Sequence, residues 1–92
     1  MIKHGKIYKV EYKKSVVKTD IPSLPRNIKL TIKTAIEERL IHDPIEFGKP
    51  LRYSLKGYRR LRVGSYRIVY KINADKYIVT ISAIKHRKDV YD

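Results

Sequence analysis

The sequence predicts an α+β fold: a small antiparallel sheet of about four strands with an N-terminal helical hairpin packed on one face. Three observations predict it. Residues 7–12 alternate in polarity, residues 28–40 repeat apolar side chains at three- and four-residue steps, and from Tyr58 onward strand-like runs follow one another across short turns.

In the first run, Tyr8, Val10 and Tyr12 fall on one side and Lys9 and Glu11 on the other, the period of a half-buried strand. Residues 15–24 begin as a helical turn that Pro22 and Pro25 interrupt. Pro25 suits the first turn of the next helix. There Ile28, Ile32, Ala35, Ile36 and Leu40 form an apolar stripe, with Lys29, Lys33, Glu37 and Glu38 largely on other faces. The helix is expected to end near Ile41, because a residue preceding proline, here Asp43 before Pro44, avoids helical geometry. Residues 44–57 contain Gly48, Pro50 and Gly57 and read as a loop with one short strand around Leu51 to Tyr53.

Residues 58–63 and 66–72 then form a hairpin through Gly64-Ser65. After a turn at residues 73–76, residues 77–84 are apolar on both alternating sets: Ile78 and Ile84 on one, Val79, Ile81 and Ala83 on the other. That is the pattern of a central strand covered on both faces. A single domain over residues 1–92 is expected, since a chain of this length has room for one core.

Formal charge is +13, and it is uneven. Residues 1–46 carry ten Lys/Arg against six Asp/Glu, whereas residues 47–92 carry twelve against three and hold six of the eight arginines. Self-repulsion of this size favours a polyanionic or acidic partner, bound through the C-terminal half. With no cysteine, a disulfide framework and a thiolate metal site are excluded, and His4, His42 and His86 are too scattered for a zinc set. No cofactor or metal is expected. No apolar run approaches the roughly 20 residues of a membrane span, and the N-terminus lacks an apolar signal segment. The expected location is cytoplasmic.

The basic half has geometry as well as charge. Alternation puts Arg60 and Arg62 on the face turned from the helices, with Arg59, Leu61 and Val63 on the core side. In the partner strand Arg67, Val69 and Lys71 share a face, so Arg67 joins the Arg60/Arg62 row. Like charges placed together on a sheet repel by a few tenths of a kcal/mol or more per pair, a cost that an anion site explains. Arginine's planar fork matches phosphate oxygens. A solvated sheet face fringed with basic side chains is the plainer alternative. Beyond the last strand, His86 titrates near neutrality in its unperturbed form, and Tyr91 is either a loose terminal ring or a platform for a base.

Asp43-Pro44, Gly48-Lys49-Pro50-Leu51, Leu55-Lys56-Gly57, Arg60-Leu61-Arg62-Val63-Gly64, Tyr66-Arg67, Tyr70, and His86-Arg87 with Val90-Tyr91 together resemble the RelE/ParE toxin superfamily, specifically its RelE branch. The likeness covers nearly the whole chain in order and spacing. It implies a RelE-like (microbial RNase-like) fold and the toxin of a type II toxin–antitoxin pair. It further implies a metal-independent endoribonuclease that enters the ribosomal A site and cuts mRNA. By this resemblance Arg67 is the arginine of the family's Tyr-Arg pair and Arg60 a basic residue of the preceding strand. Arg87 is the arginine after the last strand, and Tyr91 the base-stacking tyrosine. Two departures stand out: Tyr58 occupies the place of a second lysine, for which Lys56 or Arg62 would substitute, and the C-terminal helix of some relatives is missing.

The implied chemistry uses the substrate's 2′-hydroxyl as nucleophile and yields a 2′,3′-cyclic phosphate and a 5′-hydroxyl. The protein orients the attack, offsets phosphorane charge and moves protons. Arg60 and Arg67 are the candidates for charge stabilisation. His86 is the better acid by its ordinary pKa, while the resemblance favours Arg87, so both stay candidates. Lys56, Arg59, Arg62, Lys71, Lys85 and Lys88 are candidate RNA contacts. The implied partners are mRNA, the ribosome with its rRNA, and a cognate antitoxin with an acidic, partly disordered segment, reaching DNA only through that antitoxin. The Arg60/Arg62/Arg67 face and the groove beside the long helix are the expected antitoxin targets. No membrane is implied. Two alternatives remain: a ParE-like inhibitor of DNA gyrase, against which the His86-to-Tyr91 ending argues, and a non-catalytic module binding RNA or ribosomes.

Overall fold

The computed structural model describes residues 7–89 and shows an α+β sandwich of one sheet and one helical layer. Strand β1 (Lys9–Tyr12) is followed by a wide, π-type helical turn at Val16–Asp20, helix α1 (Arg26–Ala35) with a π-type continuation at Ile36–Leu40, and a short helix α2 (Pro44–Phe47). Strands β2 (Lys49–Pro50), β3 (Arg59–Val63), β4 (Tyr66–Asn73) and β5 (Ile78–His86) complete the chain, with a 3-10 turn at Arg87–Asp89. Among these described residues no helix is long and apolar enough to cross a membrane.

The sheet has five strands in the order β1-β5-β4-β3-β2, not the four expected, and it is mixed rather than antiparallel. The extra strand is β2, two residues lying against Arg59 and Arg60, too short to carry a periodic signal. It precedes the expected Leu51–Tyr53 strand, whose residues instead enter a 3-10 turn at Tyr53–Leu55. The helices carry the chain across one face to the far edge, and three antiparallel pairings bring it back. As a result β5 runs beside β1 in the same direction, pairing Lys9 with Ile78 and Tyr12 with Ile81. The first arm of the helical hairpin is short, since Pro22 follows immediately after the Ile21 cap of its π-type turn.

The apolar stripe of α1 forms the core as its spacing predicts. Ile32, Ala35, Ile36 and Leu40 are buried against Leu61, Ile68, Tyr70, Val79, Ile81 and Ile84, closed at one end by Val16 and Leu24. Each large aliphatic side chain buried this way contributes roughly 1.5–3 kcal/mol. The helix ends where the Ile41 N–H reaches back to the Ile36 carbonyl at 3.2 Å. Asp43 then caps α2 by accepting from the Glu46 N–H, with Pro44 at the first helical position.

One irregularity decides which side chains share a face. Val69 pairs with Ala83 but Tyr70 with Ile81, so Ser82 is an extra, bulged residue. Unbroken alternation would set Ala83 with Val79 and Ile81, and Ile84 apart from them. The bulge reverses this: Ile84 joins Ile81 in the core, and Ala83 and Lys85 turn to the helix-free face opposite Val69 and Arg67.

Candidate nucleic-acid interface

The β3–β4 hairpin builds the basic face from its own register. Val63 pairs with Tyr66 across Gly64-Ser65, a two-residue turn whose first residue, Gly64, has φ 61°, as a II′-type hairpin turn requires. This register puts Arg62 directly opposite Arg67, with Arg60 opposite Val69 on the same face. Arg67 is only 7% exposed, whereas Arg62 is exposed and Arg60 half-buried. Continuing across the sheet, Lys85 is opposite Arg67.

Arg87 is brought to this face by the chain end. Its N–H donates to the Ser65 carbonyl at 2.8 Å, pinning the turn after β5 to the hairpin loop. The result is a cleft of about 110 Å³ lined by Arg62, Gly64, Ser65, Tyr66, Arg67 and Arg87. Three permanently charged forks in a space this small select for a dense anion with several oxygens, as a phosphodiester presents. Beyond it, Arg60 and Arg62 border a wider cleft with Arg39, Phe47 and Lys49.

Other residues singled out in the sequence lie elsewhere. His86 pairs with Tyr66 on the helix-side face of the sheet, its ring edge-on at 5.0 Å between centroids. Its Nδ1 accepts from the Lys88 N–H at 3.1 Å, so the neutral ring carries its proton on Nε2. The structure therefore groups Arg87, not His86, with Arg62 and Arg67. Arg59 faces the core side and donates to the carbonyls of Ile45 at 2.7 Å and Gly48 at 2.9 Å. It serves the fold and is not part of the open face. Lys85 donates to Asp20 Oδ1 at 2.9 Å. Lys71 sits 5.0 Å from the Tyr58 ring centroid, with Lys13 on the same ring at 5.8 Å, so Tyr58 gathers two cations. Lys56 and Lys88 are exposed at the margins. Tyr91 lies outside the described residues.

Sequence reasoning missed two groups. Asp20 is 5% exposed, and beyond the end of β1 it takes the place of a strand partner for β5, accepting the Ile84 N–H at 2.9 Å while holding Lys85. Nothing in its local sequence marks it. The second group is a corner in which the buried Tyr70 hydroxyl donates to the Pro44 carbonyl. A Cβ on Gly48 would lie 1.7 Å from that hydroxyl oxygen, so glycine is required there by close approach. Burial raises the Tyr70 pKa above its ordinary 10.0; the Arg59 hydrogen bond and charge oppose this, and the Asp43 charge adds to it.

The fold is thus a helical layer on a five-stranded mixed sheet, with an arginine cleft at the hairpin end. The family profile described as ParE toxin of type II toxin-antitoxin system, parDE, matches residues 10–91. Toxin RelE3 of Methanocaldococcus jannaschii is 37% identical over 87 residues, covering 91% of this chain and 96% of the relative. Toxin RelG of Mycobacterium tuberculosis is 32% identical over 77 residues, 84% of this chain and 88% of that one. Among solved structures, a chain of the M. tuberculosis toxin–antitoxin complex RelBE2 superposes with a TM-score of 0.85 at 30% identity, covering 96% of this chain and all of its own. The chain belongs to the RelE/ParE superfamily of toxins from type II toxin–antitoxin systems.

Proposed function

We propose that this toxin is a ribosome-dependent endoribonuclease that cleaves mRNA in the A site and is held inactive by a cognate antitoxin. The observation that carries the reading is the convergence of Arg62, Arg67 and Arg87 on one cleft. The 2′-oxygen attacks phosphorus and the P–O5′ bond breaks, leaving a 2′,3′-cyclic phosphate and a 5′-hydroxyl. The 2′-hydroxyl proton departs and one proton reaches O5′. The three guanidiniums offset charge on the phosphorane and hold the in-line geometry. They remain protonated throughout, so proton transfer relies on solvent and the ribosomal site, consistent with an enzyme that needs the ribosome to align its substrate. Arg60 and Lys71 extend the positive face along the strand.

The antitoxin supplies an acidic, partly disordered segment that folds over the arginine face. A second docking area is the apolar groove of Tyr12, Ile21, Leu24, Ile32, Ile36 and Ile84. RelBE2 of M. tuberculosis is a toxin–antitoxin complex, which supports a cognate antitoxin as the partner. The site of action is the cytoplasm, where translating ribosomes are.

Primer extension on a reporter mRNA in a purified translation system tests this reading. Wild type is expected to cut at the A-site codon only when ribosomes are present. Arg67→Ala and the exposed Arg87→Ala should each lower the cleavage rate by about 10²–10³, the usual cost of removing one transition-state donor. Because the matching family profile is that of ParE, a gyrase-inhibiting reading is the second one. Intact mRNA together with inhibited DNA supercoiling would establish it instead.

A further inference from the structure

The loop between β2 and β3 holds an aromatic ring in a way the fold does not need. Its backbone is closed by the Leu51 N–H on the Tyr58 carbonyl at 2.9 Å, Leu55 on Arg52 at 3.1 Å, Lys56 on Tyr53 at 3.0 Å and Tyr58 on Leu55 at 3.0 Å. Within this hydrogen-bonded turn Tyr53 has φ 54°, a left-handed conformation that disfavours any residue with a bulky side chain. Tyr53 is 89% exposed and so adds nothing to the core. A glycine would relieve the strain, and a polar residue would be better solvated. Strain combined with an exposed ring points to a contact outside the fold.

The surroundings say what kind. Pro50, Leu51, Tyr53 and Leu55 line a cleft of about 260 Å³ that also includes Arg52 and Arg60. Apolar side chains, a flat ring and two guanidiniums lining one cleft match the chemistry of a nucleotide: a π-face to stack and a phosphate to neutralise. Arg60 connects this cleft to the arginine row, because Arg60 and Arg62 share one face of β3 and Arg62 lines the cleft with Arg67 and Arg87.

We propose that the cleft of Pro50, Leu51, Arg52, Tyr53, Leu55 and Arg60 is a nucleotide subsite for single-stranded RNA, in which Tyr53 stacks on a base and Arg52 and Arg60 hold the adjoining phosphates. The inference rests on the RNA-cleaving reading of the face and extends it. The bound strand follows β3 from the Arg62/Arg67/Arg87 cleft to Tyr53, and the base on that ring contributes to the choice of cutting site.

The test is a fluorescence-anisotropy titration of a labelled, non-cleavable 2′-O-methyl RNA oligonucleotide with wild type, Tyr53→Gly, Tyr53→Phe and Arg67→Ala. Tyr53→Gly is expected to weaken binding roughly tenfold, the scale of one lost base–aromatic stack. Its thermal midpoint should equal or exceed that of wild type, since glycine accepts the positive φ. Tyr53→Phe, which keeps the π-face, should bind as wild type does. Tyr53→Gly binding as tightly as wild type while Arg67→Ala loses affinity would overturn the subsite and leave the RNA reading standing. A loss in Tyr53→Phe equal to that in Tyr53→Gly would overturn stacking. Wild type with no affinity for the oligonucleotide would overturn the subsite, while the ribosome-dependent reading would still be decided by primer extension.

Discussion

Tyr70 shows how a single side chain couples the fold to the strand that carries the basic face. Its hydroxyl joins the β4 core to the Pro44 carbonyl, and the neighbouring Arg59 ties the same loop down through Ile45 and Gly48. Tyr70→Phe leaves the Pro44 carbonyl buried without its donor, and urea unfolding should show a loss of about 1–3 kcal/mol. The raised Tyr70 pKa adds a pH dependence whose sign is fixed. Above pH 10.0 the unfolded chain releases the phenolic proton while the folded chain retains it, so stability is intact below 10.0 and falls as pH rises toward the folded pKa. Tyr12, raised by burial and then by the Glu37 charge, acts in the same direction. Denaturation midpoints followed upward from pH 9 should therefore decline above about 10, and less steeply in Tyr70→Phe. Neither partner of Tyr70 was legible in the sequence, because Pro44 is 26 residues away. Arg59 looked like an RNA contact for the same reason: charge and alternation show which side a residue takes, not which carbonyl waits there.

Among the elements, β5 is the one whose reading changed most. The strand itself was legible from its apolar residues, but the bulge at Ser82 was not. One unpaired residue leaves composition and local spacing untouched, yet it exchanges the faces of everything that follows it. Because Ile81 and Ile84 already share the core face, a variant lacking Ser82 keeps every core assignment and gains a regular ladder. It should melt cooperatively in circular dichroism. Loss of a cooperative transition would show that the twist introduced by the bulge is required. The same element explains the site. The bulge sends Lys85 to the arginine face and His86 to the Tyr66 side, which sets His86 apart from Arg87, the rival candidate next to it in the sequence. By contrast, the α1 stripe and the Gly64-Ser65 hairpin were read correctly, since both depend on neighbours within a few residues.

At the scale of the whole molecule, a +13 charge opposes compaction of the free toxin. Raising salt from low ionic strength to the physiological range, where the Debye length shortens to about 8 Å, should raise the thermal midpoint. A fall would mean that ion pairs outweigh the self-repulsion. A partner of opposite sign would relieve this self-repulsion and stabilise the compact state.

The sequence by itself determined the α+β class, the helix stripe, the hairpin and the presence of an arginine-rich half. These follow from periodicity and from charge, which act over a few residues. Only the tertiary structure decided that β1 runs parallel to β5, that Asp20 completes the β5 edge, and that Arg87 meets Arg62 and Arg67 while His86 does not. Those outcomes turn on pairings between distant segments, where alternatives differ by a single register step. The packing of α1 on one continuous core selects among them.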